Sequence, residues 1–169
     1  SRDAAVLEMD GLDTYADVFL NGALILRSDN MFVGHKIEVK PVLRKGVNQL
    51  LVRFRSPVKE VLPQLQTNGF DYPASNDHSP WRTSVYTRQA PYSYGWDWGI
   101  RLATCGIWRQ VRLVFSDVAR IEDYYVCQDV VTQAKADVDN RLEINNVTSS
   151  TVSALLKVDY HYSDSDTKE

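Results

Sequence analysis

The densest chemistry in this 169-residue chain lies in the run Tyr92-Ser93-Tyr94-Gly95-Trp96-Asp97-Trp98-Gly99. Four aromatic rings and one carboxylate fall within eight residues, and the two glycines release the backbone from strand geometry so that side chains project from one loop. Tryptophan faces suit sugars, because the axial C–H groups of a pyranose form an apolar patch that stacks on an electron-rich ring. A carboxylate beside such a ring accepts two hydrogen bonds from vicinal hydroxyls, and bonds to charged acceptors are worth about 1.5–3 kcal/mol each. Trp96 and Asp97 are therefore the candidate substrate-binding residues. In a regular strand Trp96 and Trp98 would share a face with Asp97 opposite, and Trp98 is expected in the core. The bland alternative for Asp97 is a structural salt bridge to Arg88 or Arg101.

The remaining reactive side chains form no second centre. The chain carries no phosphate loop and no Ser/His/Asp arrangement, so no cofactor is expected. Its two cysteines, Cys105 and Cys127, have the wrong number and spacing for a zinc site and permit at most one disulfide; they are read as free thiols, with pairing the alternative. No metal is expected. His35 and His161 fall in strand-like segments and read as surface residues, while His78 lies in a long loop where it could face a ligand. Asn146-Val147-Thr148 matches the glycosylation pattern. Lys and Arg total 19 against 22 Asp and Glu, a net charge of −3, which offers nucleic acid or an anionic membrane surface no basic patch. No apolar run approaches the roughly 18 residues of a membrane span.

The elements that must position the loop are strands. Period-2 alternation dominates, and no window of about 12 residues holds a helical period. Ala4–Met9 reads as a strand; Asp17–Leu20 and Ala23–Leu26 flank Asn21-Gly22, a type I′ hairpin signal. His35–Val39 alternates, Gly46-Val47-Asn48 turns the chain into Gln49–Phe54, and Trp108–Phe115 is a longer strand. The predicted fold class is all-β, an antiparallel sandwich. Between Ser56 and Pro91 the pattern breaks. Four of the six prolines lie there; Pro57 can start a helix that Pro63 should limit to a turn or two. This stretch carries Asn68, Asp71, Tyr72, Asn76, Asp77, His78 and Trp81, and reads either as a ligand loop or as a surface insertion. A boundary near residue 117 separates a first domain, 1–117, from 118–169, where Ile121–Val131, Arg141–Val147 and Val152–Tyr162 read as three strands, too few to close a sandwich alone. Ser1, with no methionine or leader before it, and the polar tail from Tyr162 to Glu169 read as the ends of a piece cut from something larger.

Tyr92–Gly99, followed by Gly106-Ile107-Trp108-Arg109-Gln110-Val111, closely resembles the non-catalytic N-terminal sugar-binding domain of glycoside hydrolase family 2. The Gly-Trp-Asp-Trp-Gly loop resembles the β-mannosidase branch. Two weaker marks, Asp17-Val18-Phe19-Leu20-Asn21-Gly22 and Gly46-Val47-Asn48-Gln49-Leu50-Leu51-Val52, agree in order. The sequence departs from the pattern in having Ile100 where proline is usual and Gln89 where lysine usually follows the arginine.

The resemblance implies a galactose-binding-like jelly-roll β-sandwich over 1–117, lacking its first strands, and the start of an immunoglobulin-like β-sandwich over 118–169. It implies a parent enzyme that is a retaining exo-β-mannosidase, releasing terminal non-reducing β-D-mannose with two glutamates roughly 5–5.5 Å apart. Both would lie in a (β/α)8 barrel, the acid/base in an Asn-Glu pair; this chain has none, and its six glutamates are scattered, so it should be inactive alone, with no catalytic residue of its own. Trp96 would pack on the terminal mannose and Asp97 would accept bonds from its hydroxyls, the barrel and a β-mannoside glycan being the partners. Arg109 is assigned to structure, paired with a carboxylate. The implied location is periplasmic or secreted in a bacterium and lysosomal in an animal. The alternatives are a stand-alone carbohydrate-binding module or another family 2 exoglycosidase, a β-galactosidase or β-glucuronidase.

Overall fold

The computed structural model describes residues 3–159 of the chain. It divides into two compact units, residues 1–116 and 117–169. The first holds two three-stranded antiparallel sheets. One is ordered β5-β1-β8, from β1 (Ala4–Met9), β5 (His35–Glu38) and β8 (Val111–Ser116); the other is ordered β4-β3-β6, from β3 (Tyr15–Leu20), β4 (Ala23–Asp29) and β6 (Leu50–Arg55). A short pair joins β2 (Leu12–Asp13) to β7 (Gly106–Ile107).

The alternating residues of the central strands build the core. Ala5, Leu7 and Met9 of β1 pack with Ala16, Val18 and Leu20 of β3, and Val52, Phe54 and Val111 close over them. The Asn21-Gly22 hairpin forms as expected, with positive φ at both residues (52° and 87°), as a type I′ turn requires. Its asparagine does more than turn the chain. Asn21 donates to Asn48 Oδ1 (2.8 Å) and to the Val42 carbonyl (2.8 Å), and its own oxygen accepts the Gln49 amide (3.0 Å). Asn48 in turn accepts the Arg44 amide (2.8 Å) and donates to the Arg44 and Gly46 carbonyls (2.9 and 3.0 Å). The two weaker marks of the sequence thus meet in one asparagine latch.

Beside it, Asp17 stands on β3 directly across from Arg27 of β4 and Arg53 of β6. Arg53 donates to its carboxylate, with Arg27 at 3.7 Å and Arg55 at 3.5 Å. The Arg53 hydrogen bond, helped by the positive charge of Arg55, Arg53 and Arg27, holds the Asp17 carboxyl below its usual value against the opposing effect of burial.

Several expectations change. A helix, α1 (Pro57–Thr67), runs 11 residues through Pro63 rather than stopping before it. Pro63 faces solvent, where the carbonyl it leaves without a donor meets water, while Pro57 and Val61 face inward. Ser56 caps the start by accepting the Lys59 amide (3.3 Å). The strand expected over Trp108–Phe115 breaks at residues 108–110 and begins only at Val111. His35 is half-buried, its Nε2 3.3 Å from Ser28 Oγ, and burial pushes its pKa down against the pull of Asp29.

The second unit is an antiparallel hairpin of β9 (Ala119–Val131) and β10 (Ala136–Asn146), the latter beginning five residues before the strand expected at Arg141. No strand covers residues 152–159 of the expected third segment, and the rest of that segment, with His161, lies outside the described residues. No helix among the described residues is long and apolar enough to cross a membrane.

Two outcomes follow from this scaffold. Asn48→Ala removes the Asn48 half of the latch, its bonds to Asn21, Arg44 and Gly46, and should lower unfolding stability by about 1–3 kcal/mol in a urea titration; a change under about 0.5 kcal/mol would contradict the latch. Because the folded-state pKa of Asp17 is depressed, its stabilisation is present above the unfolded value near 3.9 and is lost as pH falls through the folded value. The urea-midpoint gap between wild type and Asp17→Asn should therefore be wide at pH 7 and narrow below about pH 3. An equal gap at both pH values would refute this assignment.

Candidate functional site

The loop that holds Trp96 and Asp97 is a tight turn on a built pedestal. Pro91–Tyr94 forms one 3-10 turn that ends with the Gly95 amide on the Tyr92 carbonyl (3.2 Å). Gly95 then takes φ 109°, and a β-carbon there would stand 3.2 Å from the Asn76 carbonyl, so the position needs glycine for both conformation and room. Trp96 and Gly99 exchange reciprocal backbone bonds, Trp96 amide to Gly99 carbonyl (3.2 Å) and Gly99 amide to Trp96 carbonyl (3.1 Å). Asp97 and Trp98 are left at the tip.

This geometry overturns the strand-based expectation for Trp98. A two-residue turn has no inward face, and Trp98 is 88% exposed, not core; Trp96 is 47% exposed. Asp97 is exposed and has no hydrogen bond or ion pair among the described residues. The salt bridge to Arg88 or Arg101 does not form. Arg101 is engaged elsewhere.

Its partner is Asp77, a residue of the long loop that the sequence offered as a ligand group. Arg101 Nε donates to Asp77 Oδ1 (2.9 Å), and the same carboxylate accepts Ser79 Oγ (2.9 Å), the Ser79 amide (3.3 Å) and the Ser84 amide (3.2 Å). The Asp77 side chain is fully buried and its bonding capacity is spent internally. Burial pushes its pKa up, but the Arg101, Ser79 and Ser84 hydrogen bonds outweigh that and leave the carboxyl below its usual value. Arg101 also lies over the ring of Tyr94, 5.3 Å from its centroid. Tyr94 is wholly buried, bonds Thr87 Oγ1 through its hydroxyl (2.8 Å), and is pushed up in pKa by burial. The Leu102 amide on the Ser93 carbonyl (3.1 Å) closes the base. Sequence reasoning missed the Asp77–Arg101 pair; the only available signal was a carboxylate in the loop and an arginine just past the turn.

The other groups offered by the long loop divide between those engaged in the fold and those left exposed. Asn68 donates to the Tyr86 hydroxyl (2.9 Å), and Tyr72 stacks edge-on between Phe70 and Tyr86 at 4.9 and 5.9 Å. His78 and Trp81 are exposed. Gln89 is buried and donates to Asp13 Oδ1 (2.6 Å) and the Thr104 carbonyl (2.8 Å), while Thr104 Oγ1 donates to Asp13 Oδ2 (2.7 Å). A neutral amide thus joins β2 to the segment leaving the turn. Trp108 donates to the Met31 carbonyl (3.0 Å) and lies against Gly11, whose missing β-carbon makes the contact possible. Arg109 stacks on the Trp108 ring at 4.2 Å and pairs with no carboxylate among the described residues, contrary to expectation. Cys105 and Cys127 are free thiols. Among the described residues no three His, Cys, Asp or Glu side chains group in a way that could hold a metal.

The arrangement is an unpartnered carboxylate between two exposed indoles on a pinned turn. Such a group can accept hydrogen bonds from neighbouring hydroxyls while a ring covers an apolar face.

Comparison with known proteins gives this site a family. Residues 1–109 match the family described as glycosyl hydrolase 2 galactose-binding domain-like. The chain is 40% identical over 124 residues to beta-mannosidase B of Thermothelomyces thermophilus, covering 72% of this chain and 14% of that protein. It is 36% identical over 164 residues to beta-mannosidase B of Aspergillus clavatus, covering 94% and 19%. The crystal structure of a beta-D-mannosidase from Dictyoglomus thermophilum superposes with a TM-score of 0.77 at 34% identity, covering 86% of this chain and 17% of that one. A beta-D-glucuronidase structure from the same organism shares the fold at 15% identity and a TM-score of 0.51. The chain thus spans less than a fifth of the length of these mannosidase relatives. With 109 of its residues matched, together with the two-sheet core and the pinned aromatic turn, the chain belongs to the galactose-binding-like domain family of glycoside hydrolase family 2.

Proposed function

We propose that this chain is the non-catalytic sugar-binding region of a retaining exo-β-mannosidase, residues 1–117 forming the sugar-binding sandwich and 118–169 opening an immunoglobulin-like one. The carrying observation is Asp97, exposed and unpartnered at the tip of a turn whose base is fixed on all sides. In this reading Asp97, without a partner among the described residues and beside two exposed indoles, is available to a ligand outside the chain. The relatives' name, beta-mannosidase, supports a terminal β-mannose as the ligand.

In this reading Trp96 stacks on the pyranose and Asp97 accepts bonds from two of its hydroxyls, fixing the terminal sugar. A pocket whose far end is closed by such a turn favours release of single terminal residues. Hydrolysis itself is the work of two glutamates on a (β/α)8 barrel elsewhere in the full-length protein. Four of the glutamates described here are engaged within the fold. Glu8 pairs with Arg112 (3.0 Å), Glu60 with Arg55, Glu122 with Arg120 (2.6 Å), and Glu38 accepts the Ala5 and Lys40 amides (both 3.1 Å). In this reading the chain alone is inactive, because both catalytic glutamates lie on the barrel.

The test is hydrolysis of p-nitrophenyl β-mannoside and β-galactoside by the full-length protein, wild type beside Asp97→Ala. A mannoside preference is expected, with kcat/KM in the variant about ten- to a hundredfold lower for the loss of about 1.5–3 kcal/mol of charge-assisted contact. Unchanged activity in the variant would reduce the turn to scaffold, and no mannoside cleavage by wild type would overturn the reading.

A further inference from the structure

The long loop reads from sequence as a ligand loop or as a surface insertion, and its contacts give it another part. Asp77 turns its fully buried carboxylate inward, to Ser79, Ser84 and Arg101. Through Arg101 it reaches the aromatic turn from both sides. The Arg101 guanidinium donates through Nε to Asp77 Oδ1 (2.9 Å), lies 5.3 Å from the centroid of the Tyr94 ring, and brings Nη2 to 3.5 Å from Thr83 Oγ1. Tyr94 stands two positions before Trp96, and Arg101 two positions after Gly99. One side chain thus ties the segment entering the turn to the segment leaving it. Gly95 is enclosed from the same directions: a β-carbon there would meet the Asn76 carbonyl at 3.2 Å, the Gly99 carbonyl at 3.5 Å and Arg101 Cβ at 3.7 Å.

The tip itself is closed by two backbone bonds, those exchanged between Trp96 and Gly99. Short hairpins held by their own bonds alone are marginal in water. A carboxylate that is to meet two neighbouring hydroxyls needs a fixed orientation, and affinity falls in proportion to the fraction of time that orientation is populated. The geometry points to Arg101 as a positioning residue for the sugar-binding turn, braced by Asp77, so that the long loop acts on the site without touching the ligand. This rests on the reading of Trp96 and Asp97 as contacts to a terminal β-mannose. The role needs arginine in particular. A planar guanidinium can lay its face on Tyr94 while donating from its edge to Asp77, whereas lysine offers a point charge and no face.

The experiment measures kcat and KM of the full-length protein on p-nitrophenyl β-mannoside, with thermal unfolding of each variant. Arg101→Lys keeps a cation beside Asp77 and should raise KM roughly tenfold with kcat changed less than about twofold. Ser79→Ala removes one donor from Asp77 without touching the turn, and should raise KM about two- to threefold. The exposed pair His78→Ala/Arg82→Ala should change KM less than about twofold. In an Asp97→Ala background the lysine substitution should cost less than about threefold in kcat/KM, because the carboxylate it orients is gone. A pair that served stability alone would lower the unfolding temperature and leave KM where it was. That result in both Arg101→Lys and Ser79→Ala, or costs of Arg101→Lys and Asp97→Ala that simply multiply, would overturn the positioning role and leave the Trp96–Asp97 reading intact. If Arg101→Lys does not fold, the KM of Ser79→Ala decides. A KM rise in the His78/Arg82 variant as large as in Arg101→Lys would put the ligand on the loop and overturn the brace. A wild-type protein that cleaves no mannoside would overturn the underlying reading and this one with it.

Discussion

A carboxylate with no solvent contact stands next to a guanidinium that retains some, and the candidate site depends on that pair. Burying a charge is costly unless it is paired and hydrogen-bonded. Asp77 satisfies the condition only when residues 77–84 curl around it and Arg101 reaches it from 24 residues away. The loop and the turn are therefore not independent. Each is folded because the other is, and Tyr94 beneath Arg101 ties both to the buried interior.

The division of labour between fixed and free groups runs through the whole first unit. The asparagine latch, the Gly11–Trp108 contact and the Gln89–Asp13 bond are directed inward, toward other parts of the fold. The most recognisable residues outside the aromatic run belong to these inward groups. They serve the sandwich itself, whereas Asp97 at the tip of the turn has no hydrogen bond or ion pair among the described residues. Rigid support for an unsatisfied group is the arrangement that binding sites on loops require.

Much of this was legible in the sequence, and the failures have physical causes. Alternation found β1, β3, β4, β5 and β6, and Asn-Gly found the hairpin, because both signals are local. Helix α1 was cut short on paper because sequence shows a proline but not which way it faces; at Pro63 it faces water. Trp98 was assigned to the core by strand periodicity, which ceases to apply where Trp96 and Gly99 close a two-residue turn. Asp77 and Arg101 were invisible as a pair because no spacing rule links a loop carboxylate to an arginine 24 residues on. Arg109 was given a carboxylate by habit of charge, and found an indole.

The two sheets of the sandwich also differ in how their ends are brought together. The sheet β4-β3-β6 is assembled from residues 15–55 and is closed by neighbours in the chain. The sheet β5-β1-β8 joins the first strand to the last, with Glu8 meeting Arg112 across 104 residues. Loop-closure entropy is higher for the second pairing, and non-local strand pairing is slow. In synthesis from the N-terminal side, β1 would meet β5 once residue 38 arrived but would lack its other neighbour until residue 116 did. The order of synthesis thus leaves its most buried strand paired with β5 alone, one edge open, over the whole interval between residues 38 and 111, and an open edge is a place for misassembly.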